Sequence, residues 1–246
     1  MDSSLIFLLL TLFAVAFLYS SVGHGGASGY LATMALWGIA PAELKPTALS
    51  MNVAVSIISF IGFYRAGHFK FSLFWPFAAT SIPLAFLGGT ITLSDPVYKL
   101  ILGICLLIAI ARMIFTVNKN EDKTTPLPLW AALLSGGIIG LISGMIGIGG
   151  GILLSPLLLI MRWGKFKEVA SVSALFIFVN SISGLFGLFQ KGGIVINNHL
   201  QFSLAVAIVG GLLGTYYGSK ILKTSVLNYA LALGLLIASI KLIFIK

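Results

Sequence analysis

The sequence predicts an all-α, polytopic membrane protein made of two inverted-topology repeats of about five helical segments. Three observations carry that expectation. Hydrophobic residues fill 59% of the 246 positions and charged residues only 9%, against roughly 25% charged in soluble domains. Apolar runs near 20 residues, the length that crosses a bilayer core, recur along the chain. The glycine pattern of the first half returns in the second at a nearly constant spacing.

The segments are expected at about 4–21, 27–38, 46–64, 72–92 and 97–116. After the polar linker VNKNEDKTTP they resume at about 128–146, 151–162, 168–189, 201–219 and 226–245. Each is read as helix, because backbone groups in lipid must be satisfied within the segment. The longest polar stretch runs only from Thr116 to Pro128, so no extramembrane domain is expected. The organisation is a membrane repeat at 1–118, a cytoplasmic linker at 119–127 and a second repeat at 128–246. The start, MDSSLIFLLL, has an acid and no basic region, which argues against a cleaved signal peptide. The single cysteine, Cys105, excludes an internal disulfide and a paired thiolate metal site. The net charge of +9 is read as basic loops on the cytoplasmic side and not as a nucleic-acid surface.

The repeat shows in ordered matches. At an offset of 124, Gly23, Gly25 and Gly26 fall on Gly147, Gly149 and Gly150. At 125, Ser56, Ile57, Gly62, Gly67, Gly89 and Thr90 fall on Ser181, Ile182, Gly187, Gly192, Gly214 and Thr215. Each glycine break is followed by a piece of about 12 residues, about 18 Å of helix, short of a roughly 30 Å core. That piece is either the continuation of one crossing or the return arm of a hairpin.

Basic residues arbitrate between the two. If each broken unit crosses once, the two sides carry eight and seven Lys and Arg. If each returns, one side holds Arg65, Lys70, Arg112, Lys119, Lys123, Arg162, Lys165, Lys167, Lys220 and Lys223, and the other Lys45, Lys99, Lys191, Lys241 and Lys246. Only the returning arm, re-entrant or as a full tilted hairpin, yields a positive-inside pattern. It leaves an odd number of full crossings per half, so the second half enters from the opposite face and both termini lie outside. That is the inverted-repeat architecture shared by many secondary transporters.

In such a fold the breaks face a substrate near the midplane. Gly23, Gly25, Gly26, Gly147, Gly149, Gly150 and Gly151 let backbone amides approach a ligand with no Cβ between. The helices starting near Ala27 and Gly151 would aim their positive ends at an anion. Ser28, Ser50, Asn52, Ser56, Ser155, Ser173, Asn180 and Ser183 are candidates to complete the site. His24 is the histidine inside a break, with Ile148 at its repeat position; His68 and His199 sit near segment ends. Gly136, Gly140, Gly144 and Gly210, Gly214, Gly218 have GxxxGxxxG spacing and are read as helix-packing ridges. Asp2, Glu43, Asp95, Glu121, Asp122 and Glu168 all fall at termini or loops. Coupling through a buried carboxylate is therefore not expected. An inside-negative potential alone drives an anion outward, by about 2.3 kcal/mol per charge per 100 mV.

The stretch GMIGIGGGILLSPLLL, with Gly147, Gly149, Gly150, Gly151 and Pro156, resembles the glycine-rich signature of the TauE/SafE (sulfite exporter, formerly DUF81) family. VGHGGASGY is similar to its first-half counterpart, and EVASVSALFIFVNSISGLFGLFQKGGI to the segment after it. The first half departs from the signature, with His24 and Ala27 where the second has Ile148 and Gly151, and no matching proline. The resemblance implies a prokaryotic inner-membrane permease, not an enzyme, for small sulfur anions such as sulfite, sulfoacetate or thiosulfate. Its partners are that anion and the bilayer, with no nucleic acid, cofactor or metal; a homo-oligomer is compatible. Two other classes compete. Gly26-Ala27-Ser28-Gly29 spells the GxSG of intramembrane serine proteases, which need a histidine from another helix. A cation or metal permease would want core carboxylates, thiols or several histidines.

Overall fold

The computed structural model describes residues 3–115, 124–192 and 200–220. Among them the order is α1 (Ser3–Ser21), α2 (Ala27–Leu36), α3 (Pro41–Arg65), α4 (Phe71–Thr90), α5 (Asp95–Phe115), α6 (Leu129–Ile146), α7 (Gly151–Ile160), α8 (Phe166–Gln190) and α9 (Leu200–Lys220). The segment expected at 226–245, most of the linker and His199 lie outside the described residues. No strand occurs among the described residues. Five of the helices (α1, α3, α4, α6 and α8) are long and apolar enough to cross a membrane. This is a multi-pass membrane protein. Its outer faces carry Phe7, Leu10, Trp130, Leu134, Phe186 and Phe189, all exposed, as suits a surface whose solvent is lipid.

Element lengths in the two halves track each other. The short helices α2 and α7 have 10 residues each, and α3 and α8 have 25 each. Packing is exchanged in the same way. The fourth helix of the first half, α4, lies on the first helix of the second, α6, and α1 lies on α9.

Small residues set these contacts and reveal direction. Along α6, Gly136, Gly140 and Gly144 face Phe77, Ser81 and Ala85 of α4 in rising order, so the two helices run the same way. Gly210 and Gly214 of α9 meet Phe13 and Phe17 of α1 in the same sense. Val55 and Gly62 of α3 meet Gly211 and Thr215 of α9, again rising together. Ser183 and Gly187 of α8 meet Ile82 and Phe86 of α4. Thus α1, α3 and α9 share one direction, and α4, α6 and α8 share the other. The two sets oppose, because Leu49 and Asn52 of α3 meet Gly184 and Ser181 of α8 in falling order. With no hydrophobic force between helices in lipid, close backbone approach at small residues is what holds them together.

Since α6 and α8 are parallel, α7 between them has to travel back. Trp163, just after α7, shares a groove of roughly 450 Å³ with Leu127 and Leu129 at the start of α6 and with Lys70 at the start of α4. Likewise α2 folds back on α1, where Gly29 sits against Val15 and Tyr19. A 10-residue arm is about 15 Å long, half a bilayer core. Both broken units are hairpins whose return arms are short.

Among the described residues, Lys70 and Arg162 lie at one end and Lys45 and Lys191 at the other, as a returning arm expects. Lys70 pairs with Glu168 at 2.7 Å, and Thr125 Oγ1 donates to the Met161 carbonyl at 2.7 Å, so the ends of α7 and the starts of α4, α6 and α8 share one end. Lys45 and Lys191 share the opposite end. One expectation needs correcting. Lys45 was counted among loop charges, with helix beginning near 46. Pro41 at the first helical position starts α3 a turn earlier, and Lys45 is inside the helix and only 7% exposed.

A side chain at Gly140 would put its Cβ 2.5 Å from Ser81 Cα, a collision with backbone that rotamer changes do not relieve. Gly140→Leu is expected to cost about 2 kcal/mol or more and to lower the unfolding midpoint of the detergent-solubilised protein measurably. Leu134→Ala on the lipid face is expected to leave it within error. Equal midpoints for both variants would refute the glycine ridge.

Candidate functional site

The two hairpin tips are made by glycine for a steric reason. Gly26 and Gly150, the residues that precede α2 and α7, have φ of 97° and 78°, a left-handed conformation that Cβ-bearing residues rarely adopt. The chain turns there and α2 and α7 each start with their amide groups facing the tip, unmatched by any earlier turn of their own helix.

Both tips converge on the middle of α3 and α8, which cross behind them. Asn52 and Ile177 are each the twelfth residue of a 25-residue helix and stand at equivalent places in the two halves. Asn52 is fully buried. Its Oδ1 accepts from the Ala27 amide, the first of α2, at 2.9 Å. Its Nδ2 donates to the Ile148 carbonyl in the other tip at 3.4 Å and to Ser181 Oγ at 3.3 Å. One carboxamide therefore joins both tips. Room for it comes from Gly25 and Gly149, where an added Cβ would lie 2.6 Å from Asn52 Oδ1 and 2.6 Å from Asn52 Nδ2. Ile177 packs on Gly25, Gly149 and Gly151 and offers α7 no acceptor in return. The site is asymmetric in chemistry although nearly symmetric in backbone.

A second link between the hairpins runs through His24. Its Nδ1 lies 3.1 Å from the Val22 carbonyl. A carbonyl only accepts, so Nδ1 carries a proton. Its Nε2 is 2.9 Å from Ser155 Oγ on α7, whose oxygen also lies 2.8 Å from the Gly151 carbonyl and 2.7 Å from Ser173 Oγ on α8. With a neutral ring, Nε2 accepts the Ser155 proton. With a charged ring, Nε2–H donates, and the Ser155 proton passes to the Gly151 carbonyl or to Ser173. The bond between hairpins survives in either state but its polarity reverses.

Each tip also holds a buried hydroxyl without a hydrogen-bond partner. Tyr30 lies under Gly26, where an added Cβ would be 2.8 Å from its hydroxyl oxygen, and Ser143 lies under Gly150. Unpaired buried polar atoms are costly, on the order of 1–3 kcal/mol each; the two are not repeat equivalents, since Tyr30 lies on α2 and Ser143 on α6.

The other expected residues fall as follows. Gly23 and Gly147, at φ of 78° and 83°, end α1 and α6 and pack on Ala170 and Lys45, respectively. These are equivalent positions, one apolar and one cationic. Ser28 bonds Tyr19 in its own hairpin at 2.8 Å and does not reach His24, whose Nε2 is on Ser155. Ser56 donates to the Asn52 carbonyl at 2.5 Å, one turn away. Asn180 donates to Phe176 on its own helix at 2.8 Å, and its Oδ1 is buried without a partner. Among the described residues no three His, Cys, Asp or Glu side chains gather to hold a metal.

Sequence reasoning missed Lys45, Tyr19, Tyr30 and Ser143. Lys45 had a readable signal, since it precedes Asn52 by seven residues and so shares its face of α3.

Known proteins resemble this chain along most of its length. The sulfite exporter TauE/SafE family pattern matches residues 8–242. The probable membrane transporter protein y4hK of Sinorhizobium fredii (strain NBRC 101917 / NGR234) is 34% identical over 248 residues, 99% of this chain and 100% of that one. A probable membrane transporter protein of Haemophilus influenzae (strain ATCC 51907 / DSM 11121 / KW20 / Rd) is 27% identical over 222 residues, 82% of each chain. No solved structure matches. These names indicate a membrane transporter and not an enzyme. With that match running nearly end to end over a multi-pass helical chain, this protein belongs to the sulfite exporter TauE/SafE family of membrane permeases.

Proposed function

We propose that this permease moves small sulfur-containing anions such as sulfite, sulfoacetate or thiosulfate. The anion is held near the midplane by amides of the two glycine tips and released to either side in turn. The observation that carries the reading is the convergence of both tips on Asn52, with unpaired hydroxyls of Tyr30 and Ser143 beside them. First-turn amides of α2 and α7 supply donors and partial positive charge where an oxyanion needs them. Ser155 and Ser173 add hydroxyl donors, and His24 adds a second polarity that a proton can switch.

The same reading takes the halves as inverted repeats in a prokaryotic inner membrane, with both termini outside. Opposed helix directions support it, since α1, α3 and α4 run against α6, α8 and α9, their counterparts. Alternating access then follows from rocking of the hairpins against the α3–α8 crossing. The hydrogen bonds through Asn52 and between His24 and Ser155 are the contacts that open and re-form. Export of an anion needs no buried carboxylate, because the membrane potential already drives it.

The test is flux of radiolabelled sulfite, sulfoacetate and thiosulfate in proteoliposomes, with a divalent metal as the contrasting cargo. Saturable anion flux that collapses in Gly149→Leu, at unchanged membrane insertion, is the expected result. Metal flux without anion flux, or full activity of Gly149→Leu, would refute the reading. Asn52→Leu keeps the branched heavy-atom shape and removes both bridging bonds. Its loss leaves the Ala27 amide and the Ile148 carbonyl unpaired, at about 1–3 kcal/mol each. Transport is expected to fall at least about tenfold in the same assay, with Asn52→Gln intermediate.

A further inference from the structure

The end of the molecule where α3 begins has an unusual charge arrangement. Lys45 is 7% exposed, yet its Nζ reaches a backbone carbonyl, that of Gly89, at 3.2 Å and, among the described residues, pairs with no carboxylate. A second cation, Lys191, reaches the same end of α4, three residues beyond Gly89. Lys191, at the end of α8, donates to Thr92 Oγ1 in the turn after α4. The lysine–glutamate pair of the described residues, Lys70 with Glu168, is at the opposite end. Burying one ammonium beside another is costly without an anion to share them.

The position of Lys45 connects this pair to the tips. Gly147, the first residue of the second break, packs directly on the Lys45 stem, where an added Cβ would be 2.9 Å from Lys45 Cγ. Seven residues on, along one face of α3, stands Asn52, about 10 Å deeper. Ser56 and Ser59 continue the buried stripe. On α8 the equivalent of Lys45 is Ala170, packed on Gly23. The buried helix position against the break is therefore cationic in the first half and apolar in the second.

We propose that Lys45 and Lys191, with the Thr92 hydroxyl, form an anion port at the end of the protein where α3 begins. This port would hand a small divalent oxyanion to the Gly147–Gly150 tip. This rests on the anion reading above and deepens it, by giving one mouth of the pathway a buried cation directly against its glycine break. A lysine that merely caps the carboxyl end of α4 would have the same hydrogen bond to Gly89. It would affect stability, with no effect on the anion's apparent affinity or its dependence on salt.

Reconstituted protein and radiolabelled sulfite separate these cases. Lys45→Met and Lys191→Met are each expected to raise the KM for sulfite about tenfold, with a smaller change in maximal rate, and to flatten the rise of KM with ionic strength. Lys45→Arg keeps the charge and is expected to restore KM. Lys191 is exposed, so its variant tests the port even if Lys45→Met is poorly folded. Wild-type flux with unchanged KM and salt dependence in Lys191→Met and in a folded Lys45 variant would overturn the port alone. Absence of saturable flux of sulfite, sulfoacetate and thiosulfate in the wild type would overturn the anion reading and the port with it.

Discussion

A helix that ends beside the middle of its neighbours leaves amide and carbonyl groups buried among them. This protein does so twice, and the orphan groups of both breaks meet at one carboxamide. Asn52 accepts from Ala27 in the first tip and donates to Ile148 in the second. In lipid an unpaired backbone group costs several kcal/mol, so the two hairpins cannot be placed independently. Glycines at both tips, small residues at the α3–α8 crossing and the absence of a Cβ at Gly25 and Gly149 all serve that meeting point.

The rest of the bundle keeps α3 and α8 at the right distance. Ridges of glycine let α4 lie on α6 and α1 on α9 at backbone contact. In water such contacts would add little to hydrophobic burial, but in lipid they are the main source of helix association. Closely packed flanking pairs around a core held mainly by hydrogen bonds divide the labour usefully. The flanks are closely packed, and the polar contacts at the tips have alternative partners. His24 with Ser155 is an example, since the bond persists while its direction reverses with the charge on the ring.

Backbone near-symmetry with chemical asymmetry is the other theme. Asn52 faces Ile177, Lys45 answers to Ala170, and His24 to Ile148. Each time the polar member belongs to the first half. A symmetric frame gives two equivalent ways to rock, and these substitutions make the two halves unequal in charge and hydrogen bonding.

Much of this was legible in the chain itself. Hydrophobic run length determined the helices, because lipid leaves backbone no other partner. The recurring glycines showed the breaks, and the ten-to-five division of basic residues favoured returning arms over single crossings. Gly136, Gly140 and Gly144 announced a packing face by their spacing. Partners across the bundle were not legible. Nothing local says that Asn52 reaches Ala27 and Ile148 while Asn180 bonds its own helix, or that Ser28 turns to Tyr19. Lys45 looked like a loop charge because ELKP is polar and helix-breaking in composition, whereas Pro41 and the packing of Gly147 place it inside. Sequence periodicity determines which residues share a face of one helix. Which faces meet, and so which polar atoms find partners and which stay unpaired, depends on contacts between residues 100 or more positions apart, such as Ser155 with His24, and these only the tertiary structure decided.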